Sequence, residues 1–425
     1  MKSNNAGSGK KIHDQKLRVM SFYAGNSFLK QLSSGLRQHG LSLVELMVAL
    51  AIGTLIALAI STLFFQVFSG SRTADDTARA SEAGSFGLRI LSEDFRMAGF
   101  VGLIDDGSKI DLVRSSLVSG AATDNCGNPK WFLPLNEATN RIVYIEHFTN
   151  PSDLPCIPAA NHVAGSPAIV LRGASGTQAR PADFATNKMF LQSNQAGGIV
   201  FQGVDYAGNV KGAGRHTRIC RYTPGAGACA DTADEPPCRC PTTGVNAGKG
   251  SVALVDAPIF AYHTNVYYIR PCSRPAGATC TAADDNGQPI PTLVRRQLSE
   301  NNDPATFVEV PIAEGVERMS VSYGIDTNLD GVPDFFTNNK TIFTPTSPNL
   351  SDAITIRISL LMRTRKPENN YDDSVNTYTL ADDDPTDPTD SFNCGPPGPP
   401  TSPLCRYHRY ILTDTVQVKN NAFRR

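Results

Sequence analysis

Three groups of residues have the types and spacing for chemistry. The first is Asp326-Thr327-Asn328-Leu329-Asp330-Gly331-Val332-Pro333-Asp334. Its D-x-N-x-D-G-x-x-D spacing lets the side-chain oxygens of Asp326, Asn328, Asp330 and Asp334 converge on one hard cation. Val332 would add a carbonyl, and Gly331 the sharp turn. The cation this pattern predicts is calcium. At the twelfth position Thr337 stands where a bidentate glutamate would close the shell, so a remote carboxylate must complete it or affinity is weak. The competing reading is a polar hairpin loop closed by Asx turns, with no ion.

The second group is the ten cysteines, all between Cys126 and Cys405. An even count on a predicted non-cytoplasmic body favours disulfides. Cys272 with Cys280 and Cys394 with Cys405 close short loops and are the expected pairs. Structural zinc would need C-x-x-C pairs or Cys/His clusters. Cys238-Arg239-Cys240 is the one close pair, and no such cluster surrounds it.

The third group lies at the start of an apolar run. Residues Leu41 to Phe65 read LSLVELMVALAIGTLIALAISTLFF, with Glu45 as the only charge. Such a run makes a helix of roughly 38 Å at about 1.5 Å per residue, enough to span a hydrocarbon core of about 30 Å. A carboxylate inside a spanning helix is costly and marks a functional residue that needs a partner. A secretory signal peptide would have a shorter core and a small-residue cleavage site. A plain signal anchor would leave Glu45 unexplained.

Other catalytic signals are missing from the sequence. His147, His162, His216, His263 and His408 are scattered, with no H-E-x-x-H and no nucleophile elbow. Gly225 to Gly227 lacks the Lys-Ser/Thr of a phosphate loop. We therefore expect no enzyme. A formal net charge of −1 over 425 residues also argues against a nucleic-acid partner.

The elements that must position these groups fall into two regimes. The first 125 residues hold no proline and no cysteine, whereas all 29 prolines lie from Pro129 to Pro403. Residues 1–40 carry seven lysines and arginines against Asp14 alone, a basic cytoplasmic leader by the positive-inside rule. Met20 offers an alternative start. Residues 41–65 form the membrane helix, which places the body on the far side. Residues 66–102 continue it as an amphipathic helix: Leu88, Leu91, Phe95 and Ala98 recur at helical spacing, Phe86 and Ile90 lie beside them, and Ala74 and Ala78 extend the stripe. Gly99 and Gly102 suit its end. Residues 103–425 read as short apolar runs between Gly/Pro/Asn/Asp clusters, which is strand-and-turn grammar. Strand candidates are 141–148, 168–171, 198–204, 251–253, 261–269, 306–312, 316–325, 353–362 and 407–418. Tyr262, Tyr267 and Tyr268 read as strand packing. Residues 221–250 and the Pro-rich 381–404 read as loops. The fold class is α+β: a long N-terminal helix packed on an antiparallel sheet with long disulfide-bearing loops.

The stretch Gly40-Leu41-Ser42-Leu43-Val44-Glu45 and the apolar run after it resemble the type IV prepilin processing motif, with Leu41 in place of the usual Phe. The resemblance implies cleavage after Gly40 by a prepilin peptidase, N-methylation of Leu41, and Glu45 neutralising the Leu41 amine of a neighbouring subunit. Ile90 to Gly102, Gly315 to Asp326, Ile354 to Thr364 and Arg406 to Asn421 resemble PilW-type minor pilins. A Cys-rich insert at about 115–280 does not. The resemblance implies other minor and major pilins and the inner-membrane assembly machinery as partners, with calcium as the one candidate cofactor. It implies a single-pass inner-membrane protein with a periplasmic body, later placed in the surface pilus. There it would prime assembly, near the tip, and support twitching motility and adhesion. Two alternatives remain: a pseudopilin of type II secretion, and a tip adhesin acting through the insert.

Overall fold

With no proline to interrupt it, the segment Leu43–Met97 forms one 55-residue helix, α1, in the computed structural model of the chain. The structure describes residues 42–104, 110–112, 135–136, 141–148, 154, 156–180, 184, 188–194, 197–203, 206, 218–228, 249–298, 307–326, 328, 330–338, 353–368, 371–380, 391–395 and 402–418. The chain divides into two units, one ending at Phe68 and one beginning at Ser69.

In the first unit α1 is apolar on every side, and its large side chains from Leu43 to Phe68 are all exposed. Among the described residues it is the one helix long and apolar enough to cross a membrane. Its hydroxyls return to the helix backbone: Thr54 donates to the Ala51 carbonyl, Ser61 to Ala57 and Thr62 to Ala59. That removes their cost in lipid.

The second unit begins with the other half of α1, which is amphipathic. Its buried residues are Ala80, Gly84, Gly87, Leu88, Leu91, Ser92 and Phe95. Apart from Ser92, these fall within an arc of roughly 100° on a helix wheel of about 100° per residue. Ala74, Ala78 and Phe86 lie outside that arc and are exposed, which corrects the expected upward extension of the stripe. The helix stops before Gly99 and Gly102, both at positive φ.

Among the described residues, eighteen strands follow. They are β1 (Ile110–Leu112), β2 (Leu135–Asn136), β3 (Arg141–Ile142), β4 (Ile145–Phe148), β5 (Ala168–Gln178), β6 (Met189–Asn194), β7 (Gly197–Gln202), β8 (Arg218–Ala228), β9 (Lys249–Asp256), β10 (Ile259–Arg270), β11 (Thr292–Leu298), β12 (Phe307–Glu314), β13 (Val316–Ile325), β14 (Phe335–Thr337), β15 (Ala353–Arg363), β16 (Tyr378–Thr379), β17 (Ser391–Phe392) and β18 (Arg409–Gln417). An eight-stranded sheet runs β1-β7-β6-β10-β11-β12, with β5 also on β10 and β4 on β5. It is antiparallel except where β1 meets β7. A four-stranded antiparallel sheet runs β14-β13-β15-β18.

The expected α+β class is what the structure has. Strands β1, β2, β6, β8, β11, β14, β16 and β17 were not among the sequence candidates. Strand β8 occupies part of the expected 221–250 loop, and β17 part of 381–404. Tyr262, Tyr267 and Tyr268 are buried strand residues, as read.

Leu88, Leu91 and Phe95 share one core with residues of both sheets, among them Ile169, Tyr267 and Leu293 of the larger and Met319, Ile358 and Leu360 of the smaller. Burying each such side chain contributes roughly 1.5–3 kcal/mol. Two close approaches set the spacing. A Cβ on Gly84 would lie 2.6 Å from Leu412 Cδ1 and 2.8 Å from Met362 Sδ. At Gly173 of β5 it would lie 2.3 Å from the Met97 carbonyl oxygen, a backbone atom. The adjoining hydrogen bonds, Gly99 N to Arg172 O and Ala174 N to Phe100 O, hold that backbone in place at 2.8 and 2.7 Å.

Replacing Gly173→Ala therefore forces the end of α1 off β5. The variant should lose on the order of 1–3 kcal/mol, the usual cost of overpacking, read as a lower urea midpoint in detergent. Unchanged stability would mean that the contact is not maintained.

Candidate functional site

Glu45 lies in the first turn of α1, where its carboxylate accepts the Ser42 backbone N–H at 3.3 Å. Ser42 and Glu45 have the S-x-x-E spacing of a capping box, so the residue tied by resemblance to subunit pairing also closes its own helix end. This second role was legible in the sequence and was missed. Gly40 and Leu41 lie outside the described residues.

The Asp326–Asp334 loop joins β13 to β14. Asp326 is buried and its Oδ2 accepts the Gly331 N–H at 3.0 Å. Gly331 sits at φ +87°, where most residues are strained. Asn328 Oδ1 accepts the Asp330 N–H at 2.9 Å, and Asp330 Oδ1 the Val332 N–H at 2.8 Å. These are the Asx turns of a polar hairpin, and they require no ion. The amide nitrogen of Asn328 donates to Asp330 Oδ2 at 3.2 Å and to Asp334 Oδ1 at 3.1 Å. The two carboxylates thus share one amide donor. Thr337, at the twelfth position, is in β14 opposite Tyr323.

Cys272 and Cys280 are bonded, with Cα atoms 5.7 Å apart, and so are Cys394 and Cys405, at 5.2 Å. Cys156 is disulfide-bonded as well. The one gathering of three metal-ligating side chains found among the described residues is Cys272, Cys280 and Asp284. Its two sulfurs are spent on the disulfide, and Asp284 accepts the Ala276 and Thr281 N–H groups, which hold its carboxyl below the usual range.

Around the Cys394–Cys405 loop is a buried ionic knot that sequence reasoning did not find. Arg409 of β18 grips Glu317 of β13 through Nε and Nη2, at 2.5 and 3.0 Å, and Asp373 through Nη1 at 2.9 Å. Asp373 is fully buried, and its other oxygen accepts from Tyr371, Asn376 and Tyr378. Burial, together with the Asp373 contacts, raises both tyrosine phenols. Removing one partner of such a group costs about 3–5 kcal/mol, because a buried charge is left alone. No local spacing pattern signals residues so far apart in sequence.

Residues 267–420 match the family model described as Type IV Pilus-assembly protein W, and residues 35–61 match the prokaryotic N-terminal methylation motif. No curated protein and no solved structure matches the chain. Over these two stretches the chain is similar to PilW-type type IV pilus-assembly proteins. The family match in this PilW-like chain opens on Tyr267 in β10 and takes in both described disulfide loops, the Asp326–Asp334 hairpin and the ionic knot. Cys272 and Cys280, assigned in sequence to the particular insert, therefore fall inside the family portion. The helix end at Ile90–Gly102 lies outside both matches. The methylation motif and the apolar helix fit an inner-membrane anchored pilin.

A smaller polar clip holds the body half of α1. Glu368 Oε2 accepts from His408 Nε2 at 2.7 Å and from Thr73 Oγ1 at 3.1 Å, and the Tyr371 ring stacks on His408. The His408 hydrogen bond, aided by Thr73, holds the Glu368 carboxyl below its ordinary value of 4.5. A depressed carboxyl stabilises the fold fully above its unfolded pKa, and the effect is lost as pH falls through the folded value. Glu368→Gln should therefore melt below the native chain at pH 7, and the gap should close as pH drops below 4.5. Calorimetry across pH 7 to 3 checks this. A gap independent of pH would remove Glu368 as its cause.

Proposed function

We propose that the chain is a minor pilin of the type IV pilus, a structural subunit rather than a catalyst. The observation that carries this reading is the pairing of the two family matches with the helix that joins their chemistry. The methylation motif covers the start of an all-apolar span, and the PilW match covers the sheet on which the same helix's later half is packed.

On this reading a prepilin peptidase cuts after Gly40, and Leu41 carries a methylated, positive amine. Glu45 is then placed to neutralise the amine of a neighbouring pilin. Each charge alone in lipid is costly, and pairing them lowers that cost while setting register between subunits. The subunit waits as a single-pass inner-membrane protein with its body in the periplasm. It then primes assembly with other minor and major pilins and the inner-membrane machinery, and enters the surface filament near its tip, in support of motility and adhesion.

Mass spectrometry of sheared surface filaments tests the reading. The expected result is a peptide beginning at N-methylated Leu41. Unprocessed leader peptides confined to membranes would reject it. A processed Leu41 end in membranes, with secretion of exoproteins lost on deletion and pili intact, would indicate a type II secretion pseudopilin instead.

We further propose that the Asp326–Asp334 hairpin takes one calcium ion, with Asp326, Asn328, Asp330, Asp334 and the Val332 carbonyl as ligands. Support comes from the two carboxylates that share the Asn328 amide. Binding requires that amide to turn and present its oxygen. Calcium at about ten times its dissociation constant would add roughly 1.4 kcal/mol. Chelation should lower the melting temperature of the native chain, and Asp330→Ala should abolish the response. Identical melting curves with and without chelator would sink the calcium reading and leave the Asx-turned hairpin.

A further inference from the structure

His162 is a buried ionisable group with backbone groups, and among the described residues no acidic side chain, beside its ring. It is 5% exposed, and the polar neighbours of its ring are backbone groups of Ser166 and Pro167, not a side chain. It lies in the 156–166 segment, which is docked by neighbours on either side. Asn161 Nδ2 donates to the Ala278 carbonyl at 2.9 Å, and its Oδ1 accepts the Cys280 N–H at 2.8 Å. Val163 N donates to Ile269 O at 2.9 Å, and Ser166 Oγ accepts the Met319 N–H at 2.9 Å. The segment therefore joins the Cys272–Cys280 loop, β10 and β13, and it begins at the disulfide-bonded Cys156.

The His162 ring lies tilted on Tyr268, with centroids 6.3 Å apart. On β13, Arg318 lays its guanidinium against Gly165 of the same segment, with its Nε buried and without a hydrogen bond, while the other titratable groups on the elements around the ring are committed elsewhere. The Tyr268 hydroxyl donates to Glu309, and Glu309 also takes Arg270 at 2.9 Å and Arg296 at 3.6 Å. On the disulfide loop, Asp284 and Asp285 are filled by backbone N–H groups. Glu317, beside Met319 on β13, belongs to the Arg409 knot. An imidazolium at this place would have two N–H donors and no carboxylate to receive them.

We propose that His162 is an acid-released latch: when its imidazole takes a proton, the 156–166 segment leaves the sheet and uncouples from the Cys272–Cys280 loop while the rest of the body stays folded. The neutral ring is tolerated because it packs as an aromatic. Burial lowers its pKa from 6.5, offset in part by the Ser166 and Pro167 backbone. The released state binds the proton more readily than the docked one, so docking is at full strength above 6.5 and weakens as pH falls from there toward the docked value. Below the docked value the loss is complete and constant.

Hydrogen–deuterium exchange on the full chain in detergent, corrected for intrinsic rates, tests this between pH 7.5 and 5. Opening of the 156–166 peptide should rise as pH falls below 6.5, by at most about tenfold per pH unit and levelling off at the docked value, while a peptide from β15 stays protected. His162→Phe keeps the ring on Tyr268 without a titrating group and should make that opening independent of pH. A flat native profile, an equal slope in the variant, or parallel loss of protection in β15 would overturn the latch. Should the variant fail to fold, the His162 ring resonances of the native chain decide: titration below 6.5 supports the proposal, and titration at or above it overturns it.

Discussion

The body depends on one narrow face of one helix. Ala80, Gly84, Gly87, Leu88, Leu91 and Phe95 lie along it, and both sheets meet there in a single core. Neither sheet buries its inner face without that helix. Small residues at the upper end admit Met362 and Leu412 of the four-stranded sheet, and large ones at the lower end fill the space beside the eight-stranded sheet. Two polar residues flank the stripe on opposite sides and fix its rotation. Ser92 donates to Asp414 of β18 at 2.5 Å, while Asp94 accepts from Asn265 and Tyr267 of β10 at 2.6 and 2.5 Å. Each flank is thus tied to a different sheet. A rotation of the helix would break one tie as it relaxed the other, which is a stronger constraint than the non-directional apolar contact alone.

A second constraint acts at the closing strand. β18 is an edge strand, bonded to β15 along one side. Arg409 at its start carries the long excursion between β15 and β18, because the guanidinium spans Glu317 of β13 and Asp373 of the excursion, and also takes the Leu404 carbonyl at 2.7 Å. The Cys394–Cys405 disulfide closes the same excursion covalently. Asp373 N donates to Cys405 O at 2.9 Å, so the covalent and ionic ties share one turn of backbone. Buried ion pairs add little net stability against an apolar alternative. Here the geometric role is plainer: a planar fork with five donors holds three segments that hydrophobic contact would leave free to slide.

What the sequence made legible followed the reach of each signal. The apolar span, Glu45 and the basic leader are local features with a 1.5 Å rise behind them, and α1 is read from them. The strands with alternating patterns, such as 316–325 and 353–362, were read for the same reason. Where reading failed, the cause was tertiary. Ala74 and Ala78 are apolar enough to join a stripe, yet they lie on the polar arc of the wheel. Strand β8, with Pro224 and two glycines in RICRYTPGAGA, has the composition of a loop, and its pairing with β9 overrides that. Asp94 carries no local signal of its role because its partners are 171 and 173 residues away. The Cys272–Cys280 and Cys394–Cys405 loops were legible because short spacing alone favours them.

The stretch between the two family matches bears on how a binding role could be built into this molecule. Residues 110–266 contribute β1, β4, β5, β6, β7 and most of β10 to the eight-stranded sheet. Ile145, Ile169 and Leu171 from that stretch sit in the same core as Leu91 and Phe95. The Cys-rich region is therefore not a module laid on a finished fold. Its strands supply one of the two surfaces that the helix needs. Within the described part of that stretch, the β2–β3 and β8–β9 pairs each form a two-stranded sheet of their own. A ligand site in this region would have to leave these strands in place, because their buried faces are already spent on the core shared with α1 and on three further apolar clusters. Excising the region would expose the helix stripe and test folding rather than adhesion. Substitutions that leave the strands in place are the changes that separate the two.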